Sequence, residues 1–446
     1  SIWDTLDFDQ LLNVRAAISL DDRKLLAEKT GEEVSKHLYG LTRAFNRRYK
    51  NGFYRNDIRY ADIPGDQLME INYTSGTTGF SKGVMITGNY ICGNLVYGIS
   101  SGLCHKGSRH LSFLPLAHAY GCAFDMLCPL AAGSHVTLLG RIPSPKILVK
   151  AMNEVKPNLV ICVPLVLEKI YSKMIVPMIS KGMLRWALAV PFLDNRIYAQ
   201  IRKKLIEAFG GEFEEIIVGG AAFNAEVEDF LYKIKFPFTV GYGMTECAPL
   251  ISHMPHEEFK LHSCGRVLEG LVEARIANPN ADGVGEIEVR GEDIMLGYYK
   301  NEEATKATFT EDGWLKTGDL GTMDDDNTLY IKGRNKTMLL GPNGQNIYPE
   351  EIEAVLNNLP YISESIVMQA ADNRIVALVN IDHETADKEK LTNDQLREQM
   401  EKNRKDANQQ LAAYEQLAKI QIFATEFEKT PKKSIKRYLY TAAMVD

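Results

Sequence analysis

Short apolar runs alternate along the chain with stretches of helical periodicity. Three partly β-branched runs are bounded by Gly or Pro, which predicts strands over residues 135–139, 158–163 and 215–218. After the last run, apolar residues recur at helical spacing on a predicted helix that Asn224 caps: Val227, Phe230, Leu231 and Ile234. Such strand, glycine-turn and helix units predict an α/β fold, in which ligands gather at the carboxyl ends of strands.

The carboxyl-terminal part of the chain has a different pattern. Pro349 stands at an N1-like position ahead of acidic residues, which predicts the start of a helix. Residues 384–419 are heavily charged and helix-prone. We therefore expect two domains, a large α/β domain over residues 1–335 and a smaller α+β domain over residues 336–446.

Composition narrows the class of protein. Hydrophobic residues make up 45% of 446 residues, so the chain can bury a sizeable core. The formal net charge of −7 argues against wholesale nucleic-acid binding, which needs a basic face. The seven cysteines form no Cys-x-x-Cys pair, which is typical of free thiols in a reducing compartment. No secretory leader opens the chain and no apolar run could span a bilayer. We therefore expect a cytoplasmic protein, with peripheral membrane contact if its substrate is a lipid.

One polar string carries the strongest local signal of chemistry. It is Tyr73-Thr-Ser-Gly-Thr-Thr-Gly-Phe-Ser-Lys-Gly83, whose three glycines let backbone N–H groups approach an anion closely. Lys82 adds a positive charge, and hydroxyl donors come from Thr74, Ser75, Thr77 and Thr78. It is not a Walker A loop, because no Gly-Lys-Ser/Thr triplet follows at that spacing. The string is therefore predicted to bind a triphosphate.

This string resembles the phosphate loop of the adenylate-forming superfamily, which includes acyl-CoA synthetases, luciferases and peptide-synthetase adenylation domains. One departure is Ser81, where proline is usual. Further motifs follow in the family's order between residues 73 and 437. The resemblance implies a large α/β domain, here short at its amino terminus, and a smaller mobile α+β domain. It also implies that ATP, Mg²⁺ and coenzyme A take part.

The resemblance assigns residues to the nucleotide. In the phosphate loop, the expected ATP contacts are Thr74, Ser75, Gly76, Thr77, Thr78 and Gly79. Lys82 is expected to act in catalysis by spreading developing negative charge. A second string, Gly219-Gly-Ala-Ala222, is expected to place three residues against adenine: Gly220, Ala221 and Ala222.

A third string, Gly241-Tyr-Gly-Met-Thr-Glu246, resembles the family's most informative motif after the loop. By that resemblance, Tyr242 stacks on adenine, Gly243 lies beside the nucleotide and Thr245 contacts the α-phosphate. Glu246 and Thr78 are the implied Mg²⁺ ligands. A hard cation prefers carboxylate oxygen together with substrate phosphates, which suits this assignment.

The remaining assignments are spread along the chain. Asp319 is expected to hold both ribose hydroxyls, since a carboxylate can accept two hydrogen bonds, and Arg334 to contact ribose or phosphate. Lys336 falls at the family's hinge position, and Gly344 would let the pantetheine arm of coenzyme A pass. His118 would lie beside the carboxylate being activated. Two further strings, residues 285–291 and 295–299, resemble a structural strand and turn and receive no chemistry.

Two further features depart from the family's pattern. In Thr430-Pro-Lys-Lys-Ser-Ile-Lys-Arg437, Ser434 stands where a catalytic lysine is usual, and serine cannot supply a fixed positive charge. Lys433 is our preferred replacement; the alternatives are Lys432, a reshaped loop, or a crippled adenylation step. The segment before the phosphate loop is also shorter than usual, which fits either a shortened chain or a compact member.

Together these resemblances imply an AMP-forming acyl-CoA synthetase that makes an acyl-adenylate and then an acyl-CoA. The string Val163–Tyr171 resembles a helix start in long-chain synthetases, which favours a medium- or long-chain fatty acid. Tyr120 stands where an amino-acid-activating domain would place an aspartate, and Asp125 is out of register. The alternatives are an acyl-carrier-protein synthetase and a non-catalytic acyl or nucleotide sensor.

The assignment of Lys433 can be tested directly. We expect Lys433→Ala to slow acid-dependent pyrophosphate exchange at least about tenfold, because a preorganised charge at the reacting phosphate is lost. Lys432→Ala is the matched control and should retain the wild-type rate. A wild-type exchange rate in Lys433→Ala would contradict the assignment.

Overall fold

The structure of the chain is a computed structural model. It describes residues 3, 6–19, 22, 24–75, 81–140, 143, 145–179, 193–341, 345–429 and 435–445. The chain forms two compact units, Ser1–Ile63 and Pro64–Asp446. Among the described residues, no helix combines the length and the apolar character needed to cross a membrane.

The first unit holds one antiparallel pair of strands and one longer helix. β1 (Ala16–Ile18) pairs with β2 (Leu25–Glu28), and the helix Val34–Arg48 follows. The first N–H groups of a helix lack intrahelical partners. Here the Glu28 carboxylate accepts from the first two of them, which stabilises the helix start. Short 3₁₀ turns span Phe8–Gln10 and Arg55–Asp57.

The second unit begins with a hairpin that carries the predicted phosphate string. β3 (Leu68–Ser75) and β4 (Ser81–Thr87) are antiparallel, and their register pairs Thr74 with Lys82. Residues 76–80 lie outside the described residues. The described parts of the string are thus the last three residues of β3 and the first three residues of β4, where Lys82 lies.

A five-stranded parallel sheet follows in the chain. Its strands are β5 (Arg109–Ser112), β6 (His135–Leu138), β7 (Leu159–Cys162), β8 (Glu215–Val218) and β9 (Phe238–Val240). Their order is β6-β5-β7-β8-β9. Every residue of β7, β8 and β9 is buried. Continuous burial is typical of parallel strands that are covered on both faces, and it explains the uniformly apolar runs in the sequence.

Three helices lie between strands of this sheet in the chain and span Pro145–Val155, Leu193–Ala208 and Ala225–Lys233. The helix Gly88–Ser100 precedes β5, and the helix Glu302–Thr308 lies later in the chain. Two further helices each contain a π-helical middle segment: Ala119–Cys122 with Ala123–Leu127 and Cys128–Ala132, and Pro164–Ile170 with Tyr171–Ile175 and Val176–Ile179. Asn224 caps the helix Ala225–Lys233 by accepting from the N–H of Val227 at 3.2 Å, as the sequence predicts.

Antiparallel strands make up the following part of the unit. They are β10 (Tyr242–Gly243), β11 (Leu250–His253), β12 (Arg266–Val267), β13 (Val272–Ala277), β14 (Gly285–Gly291), β15 (Gly297–Tyr298), β16 (Leu315–Met323) and β17 (Leu329–Arg334). β10, β11 and β12 form one sheet, β13-β14-β16-β17 form another, and β15 joins the β3–β4 hairpin at β4. A 3₁₀ turn, Thr245–Cys247, separates β10 from β11.

The carboxyl-terminal residues build a core of their own. Its strands are β18 (Leu339–Leu340), β19 (Asn346–Ile347), β20 (Ile362–Gln369), β21 (Ile375–Ile381) and β22 (Leu417–Ile422). Its helices are Pro349–Asn357, His383–Lys388 and Asn393–Asn408, with 3₁₀ turns at Arg437–Leu439 and Ala442–Met444. The buried side chains of this part include Ile352, Ala377 and Met400.

The predicted α/β fold class is confirmed, and so is a helix with Pro349 in its first turn. The expected helix-forming tendency of residues 384–419 is confirmed in the helices His383–Lys388 and Asn393–Asn408, and it is wrong beyond Asn408. The Asn408 side chain accepts from the N–H of Leu417 at 2.8 Å and donates to its carbonyl at 3.0 Å. Asparagine competes for backbone groups in this way, and here it connects the helix end to β22. The domain boundary between residues 335 and 336 stays a prediction.

β10 leaves no room for a side chain at Gly243, where an added Cβ would lie 1.9 Å from the Pro249 carbonyl oxygen. We expect Gly243→Ala to lower the free energy of unfolding by about 2 kcal/mol, because neighbouring backbone must move apart. Gly40→Ala is the control, since it lies in the helix Val34–Arg48 with no atom within 4 Å and alanine favours helix. Chemical denaturation that gives Gly243→Ala the wild-type stability would contradict this expectation.

Candidate active site

Strand pairing brings separate parts of the sequence together around the predicted nucleotide residues. In the β16–β17 ladder, Asp319 lies directly opposite Arg334. In the β4–β15 ladder, Tyr298 lies opposite Val84, two residues after Lys82. Because ladder partners lie about 5 Å apart, these residues meet although they are distant in sequence.

The first polar cluster is centred on Asp319. The Tyr242 hydroxyl donates to Asp319 Oδ2 at 2.7 Å, and Arg334 Nε lies 3.2 Å from Asp319 Oδ1. Burial raises the pKa of Asp319, and the Arg334 charge opposes that rise. Burial also raises the pKa of Tyr242 well above its usual value, with a further contribution from the Asp319 charge. Since the Arg334 side chain is 65% exposed, the cluster offers a buried acceptor beside an accessible cation.

The second polar cluster is centred on Glu246, which is buried in the Thr245–Cys247 turn. The Tyr298 hydroxyl donates to Glu246 Oε1 at 2.9 Å, and the Met295 N–H donates to the Glu246 carbonyl at 2.8 Å. Lys82 Nζ lies 4.5 Å from the centroid of the Tyr298 ring, within the range of cation–π attraction. Tyr298 therefore contacts two predicted site residues, although its string was expected to be structural only.

The string Gly241–Glu246 links the two clusters along the chain, because Tyr242 of the first cluster and Glu246 of the second both belong to it. One series of contacts joins Lys82, Tyr298 and Glu246, and the other joins Tyr242, Asp319 and Arg334. Each series holds one cation and one carboxylate. Such an arrangement can bind a polyanionic ligand that also carries hydroxyl groups and a divalent cation.

Asn94 supports the Glu246 turn from the helix Gly88–Ser100. Its side chain is fully buried, accepts from the N–H of Leu250 at 3.0 Å and donates to the Cys247 carbonyl at 3.5 Å. These contacts link residues more than 150 positions apart. Asn94 was not among the residues predicted from the sequence, because nothing near it in the sequence indicates which distant backbone groups it hydrogen-bonds.

The predicted adenine turn follows β8. Gly220, Ala221 and Ala222 are exposed there, and Gly220 has a φ of +88°, a left-handed conformation that glycine adopts without strain. The Tyr120 hydroxyl donates to the Ile217 carbonyl at 3.2 Å, and a Cβ at Gly219 would lie 3.2 Å from its ring. Tyr120 thus packs closely under the turn.

His118 lies at the start of the helix that begins at Ala119. Asp125, in the next turns of that helix, accepts at Oδ2 from the N–H groups of Phe113 and Leu114 at 2.8 and 2.9 Å. It therefore ties the segment before His118 to the helix after it. Burial raises the pKa of Asp125 to about 7, and the backbone hydrogen bonds oppose that rise.

The other predicted residues are placed as follows. Thr74 is half-buried, with Oγ1 3.5 Å from the Lys82 carbonyl, and Thr245 is buried beside Glu246. Lys336 is exposed just after β17. Several predictions concern groups outside the described residues: the side chain of Ser75, and Gly76, Thr77, Thr78, Gly79, Gly344 and Lys433.

The Glu246 carboxylate fits a magnesium ion that is held mainly by its substrate. In the described part of the chain, no cluster of three or more His, Cys, Asp or Glu could hold a metal ion. Mg²⁺ commonly binds through one or two carboxylates together with substrate phosphates. Because Glu246 Oε1 accepts from Tyr298, one carboxylate with a fixed orientation is available for such a site.

The chain matches two family profiles and several curated proteins. The sequence profile of the family described as AMP-binding enzyme matches residues 7–299, and that of the AMP-binding enzyme C-terminal domain matches residues 337–444. The chain is 31% identical over 329 residues to long-chain-fatty-acid–CoA ligase ACSBG1 of Rattus norvegicus, covering 68% of this chain and 45% of that protein. It is 32% identical over 356 residues to long-chain-fatty-acid–CoA ligase FadD15 of Mycobacterium bovis, covering 73% and 56%. The chain thus spans about half the length of these curated relatives.

Solved structures share the fold. ATP-bound MatB of Rhodopseudomonas palustris matches 85% of this chain and 68% of its own, with a TM-score of 0.65 at 24% identity. O-succinylbenzoate coenzyme A synthetase (MenE) of Bacillus subtilis, in complex with ATP and magnesium ion, matches 86% and 72%, with a TM-score of 0.64 at 24% identity. At this identity, the likeness shows the fold alone.

Asp125 should make stability depend on pH. Its raised pKa means that the folded state holds the proton more tightly than the unfolded state, so stability falls as pH rises from about 4 to about 7. Asp125→Asn is neutral throughout and should gain up to about 4 kcal/mol relative to wild type over that range. Urea denaturation at several pH values measures the difference. Asp66→Asn, in an exposed turn, is the control, and a pH-independent difference for Asp125→Asn would contradict this prediction.

Proposed function

The chain belongs to the AMP-binding enzyme family, and we propose that it is an ATP-dependent acyl-CoA synthetase for a medium- or long-chain fatty acid. The observation that carries the proposal is the pair of clusters that one short string links, Lys82 with Tyr298 and Glu246, and Tyr242 with Asp319 and Arg334. It combines a cation for phosphate, a carboxylate for magnesium and a carboxylate for a ribose diol. These are the groups that an adenylating enzyme needs to hold ATP.

In the first step, a carboxylate oxygen of the acid attacks the α-phosphorus of ATP. The bond from that phosphorus to the bridging oxygen breaks, pyrophosphate leaves, and an acyl-adenylate remains. Lys82 and the backbone N–H groups of the loop spread the developing charge, while Asp319 accepts from the ribose hydroxyls and Tyr242 lies against adenine. Glu246 and Thr78 are the residues that would hold magnesium, which would supply positive charge against the phosphates.

In the second step, the thiol of coenzyme A attacks the acyl carbonyl, loses its proton, and AMP leaves. We expect residues 336–446 to rotate about Lys336 between the two steps, bringing the loop of Gly344 to the thioester site. Positioning of the reactants supplies most of the rate enhancement, since no covalent enzyme intermediate is needed. Lys433 is the proposed source of positive charge during adenylation.

Two observations support a fatty acid as the substrate. Both curated relatives described above are named long-chain-fatty-acid–CoA ligases. Tyr120, at the position where an amino-acid activator would carry an acid, binds backbone instead. The seven free thiols suit a cytoplasmic location.

An AMP-release screen tests the proposal. Acids of increasing chain length are supplied with ATP and Mg²⁺, with coenzyme A, with holo carrier protein, or with neither. We expect AMP release to depend on a fatty acid and to be faster with coenzyme A. Faster release with carrier protein would favour the carrier-protein alternative. ATP binding without acid-dependent release would contradict the synthetase proposal and favour a sensor.

Asp319→Asn gives a matched test of the nucleotide assignment. It removes the charge that Arg334 pairs with while preserving shape, so we expect ATP affinity to fall about tenfold to a hundredfold. Asp325→Asn, an exposed substitution in the turn between β16 and β17, should retain wild-type affinity. Calorimetry that finds equal ATP affinities for both variants would contradict the ribose assignment.

A further inference from the structure

Tyr298 is held rigidly by its backbone. β15 pairs with β4, so that Tyr298 lies opposite Val84, and the Tyr299 N–H donates to the Gly83 carbonyl at 2.7 Å. The Tyr298 N–H donates to Thr305 Oγ1 at 2.9 Å. These contacts anchor the residue to the strand that carries Lys82 and to the following helix. The position of the Tyr298 ring is therefore fixed relative to the β3–β4 hairpin.

The Tyr298 side chain lies between two opposite charges. It is 6% exposed; its hydroxyl donates to Glu246 Oε1 at 2.9 Å, and Lys82 Nζ lies 4.5 Å from its ring centroid. In the described part of the chain, no ion pair joins Lys82 directly to Glu246. One aromatic ring thus contacts a cation through its π-system and an anion through its hydroxyl.

This arrangement separates two opposite charges, those of Lys82 and Glu246. A lysine and a glutamate brought together out of water attract strongly, and a direct ion pair would occupy both groups. The Tyr298 ring between them interacts with each of these two groups less strongly than a direct ion pair would. The hydroxyl also engages only one carboxylate oxygen, which leaves the other for a cation.

We propose that Tyr298 is a positioning residue that orients the Glu246 carboxylate for magnesium and keeps Lys82 from pairing with it. The inference rests on the proposed magnesium–ATP site and deepens it. It assigns a role to a string that resembles only a structural turn. Tyr298 itself contacts neither ATP nor the acid in this scheme, and it acts through Glu246 and Lys82.

Two substitutions of Tyr298 distinguish its contact with Glu246 from its contact with Lys82. Tyr298→Phe removes the hydroxyl and keeps the ring beside Lys82. Calorimetric ATP titrations at a series of free Mg²⁺ concentrations should then show the half-saturating Mg²⁺ concentration rise about tenfold or more, with ATP affinity restored at saturating Mg²⁺. Tyr298→Leu removes the ring as well, so Lys82 can reach Glu246. ATP affinity should then stay at least about tenfold low even at saturating Mg²⁺.

Tyr299→Phe is the matched control. Tyr299 is the next residue, is 40% exposed, and also has a lysine over its ring, with Lys300 Nζ 5.2 Å from the centroid. It should show the wild-type Mg²⁺ dependence. Thermal unfolding checks that the variants fold, and if Tyr298→Leu does not fold, Tyr298→Phe alone decides.

The outcomes distinguish this inference from the proposed function, because calorimetry measures binding and not turnover. A wild-type Mg²⁺ dependence in Tyr298→Phe overturns the positioning role. A wild-type chain that binds magnesium–ATP but releases no AMP contradicts the synthetase proposal alone, and the Tyr298 comparison still holds. A wild-type chain that binds no magnesium–ATP overturns both.

Discussion

Two carboxylates in the second unit are removed from water, and each is held by a tyrosine hydroxyl: Asp319 by Tyr242 at 2.7 Å and Glu246 by Tyr298 at 2.9 Å. A buried charge is costly unless hydrogen bonds and opposite charges offset the lost hydration. Here each acid accepts from one phenol, and a cation lies close by. Burial also strengthens any further charge interaction. The two carboxylates are therefore preorganised acceptors, which is what the proposed binding of a ribose diol and a divalent cation requires.

Strand register determines which groups meet. Side chains alternate between the faces of a strand, so a slip of one residue in the β16–β17 ladder would turn Asp319 away from its partners. Backbone packing restricts such slips. A Cβ at Gly321 would lie 2.4 Å from the Tyr330 carbonyl, and one at Gly243 would lie 1.9 Å from the Pro249 carbonyl. The glycines near the site thus let neighbouring backbones approach closely, and the backbone in turn positions the charges.

The fold prediction from sequence is confirmed where the information is local. Buried strands appear as apolar runs, and Tyr242 and Glu246 can be read together because one short string carries both. The partners of these residues come from far away: Tyr298 lies 52 residues from Glu246, and Asn94 lies 156 residues from Leu250. Such pairs depend on sheet order and register, which no short motif encodes. Asp125 illustrates the same limit, since its role is visible only from the backbone groups it accepts from.

Nucleotide binding and acid selection rest on different physics. Hydrogen bonds to carboxylates and guanidinium are directional, so a site for ATP requires particular residue types at fixed places, and these leave motifs in the sequence. Selection of an acyl chain depends on the volume and shape of an apolar wall, where one methylene is worth only about 1 kcal/mol. Many combinations of apolar residues can build such a wall. The proposed adenylating cluster is therefore compatible with different acids, and for this reason the fold does not determine chain length.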